Sequence, residues 1–352
     1  MTQNRLNLPR RRLLFGGAAV GAGALLAACT SNEKEPTSAQ TKGPEAGGNA
    51  NANAGRQVTI GFSAPAADHG WIAAITNNAK AQAGTFSDVT LKQVEAGADA
   101  AAQRAALDTL IAEKPDIIVM LPHDGKELNA SGLKAMQAGI PVVNLDRAFP
   151  DALAYRLQIK GDNYGMGVAA GTYIGNQLKN KGVSTPVIGE IAGIDSLELT
   201  QERSAGFKAA LATFGFTVAN RRAAEFTADS GQREAANLLQ ALPKLDALWN
   251  HDDDQGIGVL AAINRANRTE FFMVGGAGSK KAIEDIQADN TVLKATVTYS
   301  PSMASSAISL ARLIAQGRGL ADLVELQVPK EIILASETIT KDNAGDYLKL
   351  GF

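Results

Sequence analysis

Asp146 and Arg147 stand side by side at the end of the segment that begins with Ile140 to Val143. That apolar run lacks polar alternation, which is typical of a strand covered on both faces in a parallel sheet. Ligands of open α/β sheets bind outside the carboxyl ends of the strands. A carboxylate accepts hydrogen bonds from two neighbouring hydroxyls and a guanidinium donates several in a fixed fork, so the pair could hold a vicinal diol. A surface ion pair is the alternative interpretation.

Other polar and aromatic residues also gather where predicted strands end. An aromatic face stacked on the apolar face of a sugar or polyol, with charged groups at the rim, would form a carbohydrate site. A plainer interpretation is that Trp71 only closes the end of its helix, that Phe226 belongs to the core, and that Glu202 and Arg203 form a structural pair. The residues are Asp68, His69 and Trp71 in the first half, and Gln201, Phe226, Asp252 and Tyr299 in the second.

Enzyme and metal motifs are weak in this chain. It contains no Gly-x-Ser-x-Gly and no His-Glu-x-x-His motif, and Gly275–Lys280 lacks the spacing of a phosphate-binding loop. His251 to Asp254 offer metal-ligand types, but adjacent residues of a strand point to opposite faces. We therefore predict no catalytic residue, no metal and no cofactor.

The composition sets further bounds. A chain of 352 residues is too long for a single core, which predicts two domains. The net charge of −2 indicates no basic face for nucleic acid. The single cysteine excludes an internal disulfide and a cysteine-rich metal site.

The first 56 residues predict export and anchoring. A basic stretch, Arg10 to Arg12, precedes an apolar run from Leu13 to Ala28 that is shorter than the roughly 20 residues a spanning helix needs. This pattern is typical of a secretory signal, which we assign to residues 1–28. The tetrapeptide ending in Cys29 resembles a lipobox, in which the cysteine is acylated, and Arg10 to Leu14 resembles a twin-arginine motif. Residues 29–56 would then be the lipidated cysteine and a flexible tether, holding the protein as a monomer on the outer face of the membrane.

From Val58 onwards, short apolar runs alternate with helical patterns, which indicates βαβ units and a parallel sheet. Four such units form the first half, and a second set repeats the architecture from about Leu157. The fold class expected is α/β with two doubly wound parallel sheets.

Several segments in order resemble the landmarks of the type I periplasmic binding proteins, nearest to the ribose-binding-like branch. They are VTIGFSAPAADHGW, DIIVMLP, IPVVNLDR, GDNYGMG, ERSAGF, LDALWNHDDDQGIGVL and FFMVGGAG. The resemblance implies two lobes joined by three crossovers that close on a monosaccharide or sugar alcohol and deliver it to the permease of an ABC importer, without catalysis. It also implies crossovers near 161–163, 299–301 and 327–330, and hence lobes of 57–161 plus 301–328 and 162–300 plus 329–352.

The ligand positions of that family match here at Asp68, Trp71, Asp146, Arg147, Phe226, Asp252 and Gln201. The chain departs from the ribose pattern at Ala277, at Tyr299 and at Gln201, so the resemblance does not name the sugar. The same fold serves DNA-binding regulators, against which export and the lack of a DNA-binding segment argue. Two more functions stay open: a sensor that presents ligand to a membrane receptor, and a surface-anchored hydrolase that uses Asp252 to Asp254.

Overall fold

The computed structural model describes residues 51–320 and 327–352. The predicted signal, Cys29 and most of the predicted tether lie outside these residues. Within the described ranges, no helix is both long enough and apolar enough to cross a membrane.

The first lobe is built on a six-stranded sheet in which every neighbouring pair is parallel. The strand order is β11-β5-β4-β3-β1-β2. Its strands are β1 (Val58–Ala64), β2 (Val89–Glu95), β3 (Ile117–Met120), β4 (Val142–Leu145), β5 (Leu157–Gly161) and β11 (Glu331–Leu334). Its helices are α1 (Gly70–Gly84), α2 (Ala100–Ala112), α3 (Gly125–Gln137) and α9 (Met303–Ala315).

The second lobe has another six-stranded sheet, in the order β12-β10-β9-β8-β6-β7, in which only β12 runs antiparallel to its neighbour among the described strands. Its strands are β6 (Ile188–Ala192), β7 (Val218–Ala223), β8 (Ala247–Asn250), β9 (Phe272–Ala277), β10 (Leu293–Thr298) and β12 (Thr338–Thr340). Its helices are α4 (Asn163–Asn180), α5 (Glu198–Thr213), α6 (Ala228–Ala241), α7 (Asp253–Arg265), α8 (Lys280–Ala288) and α10 (Ala344–Tyr347). The predicted α/β class with two doubly wound sheets is confirmed.

Local sequence explains why these elements form. β3, β4 and β8 are mostly apolar and are buried throughout, because helices cover both faces of each sheet. Acidic side chains cap helices that follow them: Asp124 accepts from the N–H of Lys126 at 2.8 Å, and Asp252 accepts from the N–H of Asp254 at 2.9 Å. Strand ends and helix starts therefore face the same edge of each sheet, where polar side chains collect.

The chain passes between the lobes after Gly161, after Thr298 and between Leu334 and Thr338. The last position corrects the boundary expected at 328/329. β11 pairs in parallel with β5, so residues 331–334 complete the first sheet and do not belong to the second lobe. Only from β12, which pairs with β10, does the chain join the second sheet again.

Candidate functional site

A cleft with an empty volume of about 320 Å³ lies between the carboxyl ends of the two sheets. Both lobes contribute to its wall, and most of the lining side chains are aromatic or charged. They are His69, Trp71, Asp146, Arg147, Leu199, Arg203, Phe226, Asp252, Ala277 and Tyr299.

Asp146 and Arg147 follow β4 and are buried, with 3% and 8% of their surface exposed. Asp146 Oδ1 accepts a hydrogen bond from the Tyr299 hydroxyl, whereas Arg147 Nη1 donates to the carbonyl of His123. Arg147 Nε is buried and has no hydrogen-bond partner among the described residues. Burial raises the pKa of Asp146 and lowers the pKa of Arg147. The interpretation as a surface ion pair is therefore wrong: both groups are desolvated in the wall of the cleft.

His69 and Trp71 enter the cleft at the start of α1. Trp71 Nε1 donates to the Tyr299 carbonyl at 2.9 Å, and the two rings have centroids 5.8 Å apart. His69 Nδ1 lies 2.5 Å from Asp68 Oδ1. Although burial opposes protonation, this hydrogen bond and the neighbouring carboxylates raise the pKa of His69. The Asp68 side chain is 59% exposed and lies outside the lining of the cleft, where it contacts His69.

Arg203, which the sequence analysis interpreted as one half of a structural pair, lines the cleft. It is only 4% exposed; its Nε donates to Asn163 Oδ1 at 2.9 Å and its Nη1 donates to the His251 carbonyl at 3.2 Å. Its Cζ atom lies 4.5 Å from the centre of the Tyr299 ring, close enough for a cation–π contact. Arg203 therefore belongs to the cleft wall, not to a structural pair with Glu202.

Gln201, the position expected from the family pattern, is exposed and does not line the cleft. Its side chain donates to the Asp195 carbonyl at 3.1 Å. The buried face of α5 includes Thr200, Arg203 and Phe207, which follow helical spacing. A charged residue in phase with an apolar helical face was the signal that would have selected Arg203 over Gln201.

Phe226 and Asp252 also belong to the second lobe's part of the wall. The Phe226 ring packs with Leu197 and Leu199 and also lines the cleft. One part of the ring therefore belongs to the core, and another part faces the cleft. A Cβ on Gly193 would lie 1.9 Å from Phe226 Cζ, so this glycine leaves the space that the ring occupies. Burial raises the pKa of Asp252 to about 6.

The acidic run His251 to Asp254 does not converge on one point. His251 Nε2 lies 3.1 Å from Glu190 Oε1, Asp252 faces the cleft, and Asp254 accepts from the Trp71 N–H at 2.8 Å. In the ranges described, no group of three or more His, Cys, Asp or Glu residues is arranged to hold a metal ion. Asp253 is buried and accepts from four groups, the N–H of Gly276, Gly278 and Ser279 and the hydroxyl of Thr296.

Three lining residues have a left-handed backbone: Asp146 at φ 64°, Phe226 at φ 62° and Ala277 at φ 95°. Non-glycine residues rarely adopt this region, because the Cβ atom crowds the neighbouring carbonyl oxygen. Such strain collects at ligand sites, where the surrounding structure fixes it. All three residues follow or end a strand, so the left-handed conformation turns the backbone towards the cleft at these points.

The model of the Periplasmic binding protein domain family matches residues 60–319. The chain is 29% identical over 210 residues to the Ribose import binding protein RbsB of Bacillus subtilis (strain 168), covering 60% of this chain and 66% of that protein. It is 31% identical over 190 residues to RbsB of Salmonella typhimurium, covering 53% and 62%. The matched segments thus span less than two thirds of these relatives.

A crystal structure of an ABC transporter solute binding protein from Mycobacterium smegmatis with bound glycerol has a similar fold. Its TM-score is 0.74 at 26% identity, over 83% of this chain and 97% of that chain. The family match covers most of the sequence and both lobes that frame the cleft. This chain therefore belongs to the periplasmic binding protein domain family, in the branch that includes the ribose import binding proteins.

Proposed function

We propose that this protein captures a monosaccharide or sugar alcohol between its two lobes and delivers it to the permease of an ABC importer outside the cytoplasm. The observation that carries the proposal is the cleft itself, in which each lobe supplies one carboxylate, one guanidinium and aromatic surface. The carboxylates are those of Asp146 and Asp252, and the guanidinium groups are those of Arg147 and Arg203.

The balance of charge in the wall favours a neutral ligand with many hydroxyls. Each hydroxyl donates one hydrogen bond and accepts others, so it can meet a carboxylate and a guanidinium at once. An anionic ligand would have the buried carboxylates of Asp146 and Asp252 beside it, which costs free energy in a desolvated site. The rings of Trp71 and Phe226 add apolar surface suited to the C–H face of a sugar.

The relatives support the same ligand class and the same role. Two are named as ribose import binding proteins, and the similar crystal structure is of a transporter solute binding protein with glycerol bound. We propose that this chain shares the transport role and works as a monomer without cofactor or catalysis. A lipid on Cys29 would hold it at the outer face of the cell membrane.

A hydrolase would need the carboxylates of Asp252 to Asp254 to act together on one bond. Asp253 already accepts hydrogen bonds from backbone N–H groups of its own lobe, and Asp254 accepts one from the N–H of Trp71. Glycoside hydrolysis requires two carboxyl groups that flank the same bond. The arrangement therefore favours binding over turnover.

A ligand screen tests the proposal. The purified protein would be melted with pentoses, hexoses, furanose-forming sugars and polyols, and hits would be measured by calorimetric titration. A ligand at 100 times its Kd stabilises the folded state by about 2.7 kcal/mol, which is a clear rise in melting temperature. Product analysis of each hit should show unchanged sugar. If no sugar or polyol shifts the melting temperature, or if a sugar is turned over, the proposal is wrong.

A further inference from the structure

We propose that residues 51–56 are a docking segment that fixes the predicted membrane tether to the first lobe alone, at the edge of its sheet that faces away from the cleft. This inference rests on the proposed lipid at Cys29 and names the part of the molecule through which that anchor acts. The sequence predicts a flexible chain up to residue 56, whereas the structure holds residues 51–56 against the first lobe by several hydrogen bonds.

Arg312, in the last turn of α9, is the centre of this contact. It is only 2% exposed, and its Nη1 and Nη2 donate to the carbonyls of Asn51 at 2.6 Å and Asn53 at 2.7 Å. Its Nε and Nη2 also donate to the two carboxylate oxygens of Asp88, at 2.7 and 2.6 Å. A buried guanidinium needs acceptors around its whole fork of donors. The docking segment supplies the acceptor of Nη1, so it completes a buried polar site.

Asp88 and Gln316 hold the end of the docking segment that leads into β1. Asp88 is 1% exposed and accepts a hydrogen bond from the Gly55 N–H as well as from Arg312. These hydrogen bonds, with that from Arg312 the strongest, hold the pKa of Asp88 well below its usual range. Gln316 Nε2 donates to the Arg56 carbonyl at 2.8 Å. A Cβ on Gly55 would lie 2.5 Å from Gln316 Oε1, so the glycine permits this close approach.

The partners of the docking segment define the edge of the sheet on which it lies. Asp88 directly precedes β2, and Asp116, which accepts from Arg56 Nη1 at 2.7 Å, directly precedes β3. Since β1, β2 and β3 run parallel, their amino ends share one edge. The cleft lies beyond the carboxyl ends, at the other edge. The tether therefore meets the protein on the side of the first lobe opposite to the cleft.

This position has a mechanical consequence for the anchored protein. The hydrogen bonds described here join the docking segment to residues of the first lobe, and the crossovers to the second lobe lie at the cleft side. A tether fixed in this way leaves the hinge unrestrained, so closure moves the second lobe while the first keeps its place relative to the anchor. A tether that was free up to residue 57 would instead let the whole protein turn about its attachment point.

Distances between pairs of spin labels test the docking in the ligand-free protein. Cys29→Ser removes the single cysteine of the chain, and Ala52→Cys in the docking segment is then paired with Lys80→Cys on α1. A second pair within the first lobe, Lys80→Cys with Ala105→Cys, is the reference, and all three labelled positions are exposed. We expect the two distance distributions to be equally narrow, because a docked residue moves with its lobe.

Gly55→Val combined with Arg56→Ala should release the docking segment. The first change adds atoms where Gln316 lies, and the second removes the hydrogen bond to Asp116. The distribution from Ala52→Cys to Lys80→Cys should then widen at least about twofold, as for a flexible chain end. The reference pair should stay as narrow as before, which shows that the lobe is still folded. Arg312→Lys keeps the charge but not the fork, so it should widen the same distribution.

Two outcomes would overturn the inference. One is a distribution from Ala52→Cys that is as wide before the release as after it. The other is a pair of Ala52→Cys with Glu284→Cys, in the second lobe, that is narrower than the pair of Lys80→Cys with Glu284→Cys, because the segment would then follow the second lobe. The label distances need neither lipid nor sugar, so they decide the docking even if membrane fractionation shows that Cys29 does not anchor the protein.

Discussion

The main-chain N–H of Trp71, in the first lobe, donates a hydrogen bond to Asp254 Oδ2, in the second lobe, at 2.8 Å. Within the described structure, the side chain of His69, which precedes α1, makes no capping hydrogen bond to that helix. A carboxylate of the opposite lobe thus satisfies an N–H in its first turn and lies at the positive end of the helix dipole. Gly70 permits the approach, because a Cβ there would lie 2.7 Å from Asp254 Oδ1.

Asp254→Ala should weaken ligand binding although Asp254 does not line the cleft. The contact joins the two lobes, so it stabilises only the closed state, and a hydrogen bond to a charged group contributes about 1.5–3 kcal/mol before discounting for solvent. We expect a loss of about fivefold to tenfold in affinity, mainly through faster dissociation. Stopped-flow and calorimetric titration would measure it.

Glu284→Ala is the matched control for that variant, since Glu284 is an exposed acidic residue on α8. Small-angle scattering at saturating ligand should show compaction of the wild type and of this control. Equal dissociation rates for Asp254→Ala and Glu284→Ala would mean that the contact between the lobes does not hold the ligand.

Asp146→Ala and Arg147→Ala should each weaken binding at least tenfold. Both side chains are desolvated in the wall, so removal of either leaves ligand hydroxyls without a charged partner, which costs about 1.5–3 kcal/mol. Lys80→Ala, at an exposed position of the same lobe, is the control. Calorimetric titration with wild-type affinity for both cleft variants would show that these residues do not hold the ligand.

The stability of the ligand-free protein should depend on Asp252 between pH 4 and 7. Burial raises the pKa of Asp252 to about 6, so the protonated form is favoured in the folded state. The stabilisation that the protonated Asp252 carboxyl provides is fully present below about pH 4 and is lost as the pH rises through about 6. The free energy of unfolding should fall by on the order of 3 kcal/mol across this range.

Asp252→Asn isolates this effect, because asparagine can also cap α7 but does not titrate. Urea unfolding at several pH values should show that the variant gains stability relative to the wild type as the pH rises. Parallel curves for the two proteins across this range would contradict the assignment to Asp252.

Cys29→Ala should release the folded protein from the membrane once the predicted signal is removed, because the proposed lipid is lost and no helix in the described part of the chain can cross a membrane. Membrane fractionation of cells expressing the variant measures this directly. Ser31→Ala, two residues further along, should stay with the membrane fraction. Membrane association of Cys29→Ala equal to that of the control would remove the lipid anchor from the proposal.

Apolar runs without alternation, such as Ile117–Met120, predict buried parallel strands because the pattern reflects covering on both faces. The partner of β11 could not be predicted in this way. Its residues alternate between exposed and half-buried positions, as in an edge strand, and that pattern suits the edge of either sheet. Arg203 was readable from the phase of its helix, whereas the contact between Trp71 and Asp254 joins residues far apart in sequence and emerges only from the packing of the lobes.

The pairing of β11 with β5 has a consequence for the order in which the protein can fold. The strand that completes the first sheet comes after the whole second sheet except β12. During synthesis from the N-terminus, the edge of β5 therefore stays unpaired until residues 331–334 emerge. An unpaired parallel edge can pair with other chains. Docking of β11 onto β5 therefore covers an edge of the first sheet with which other chains could otherwise pair.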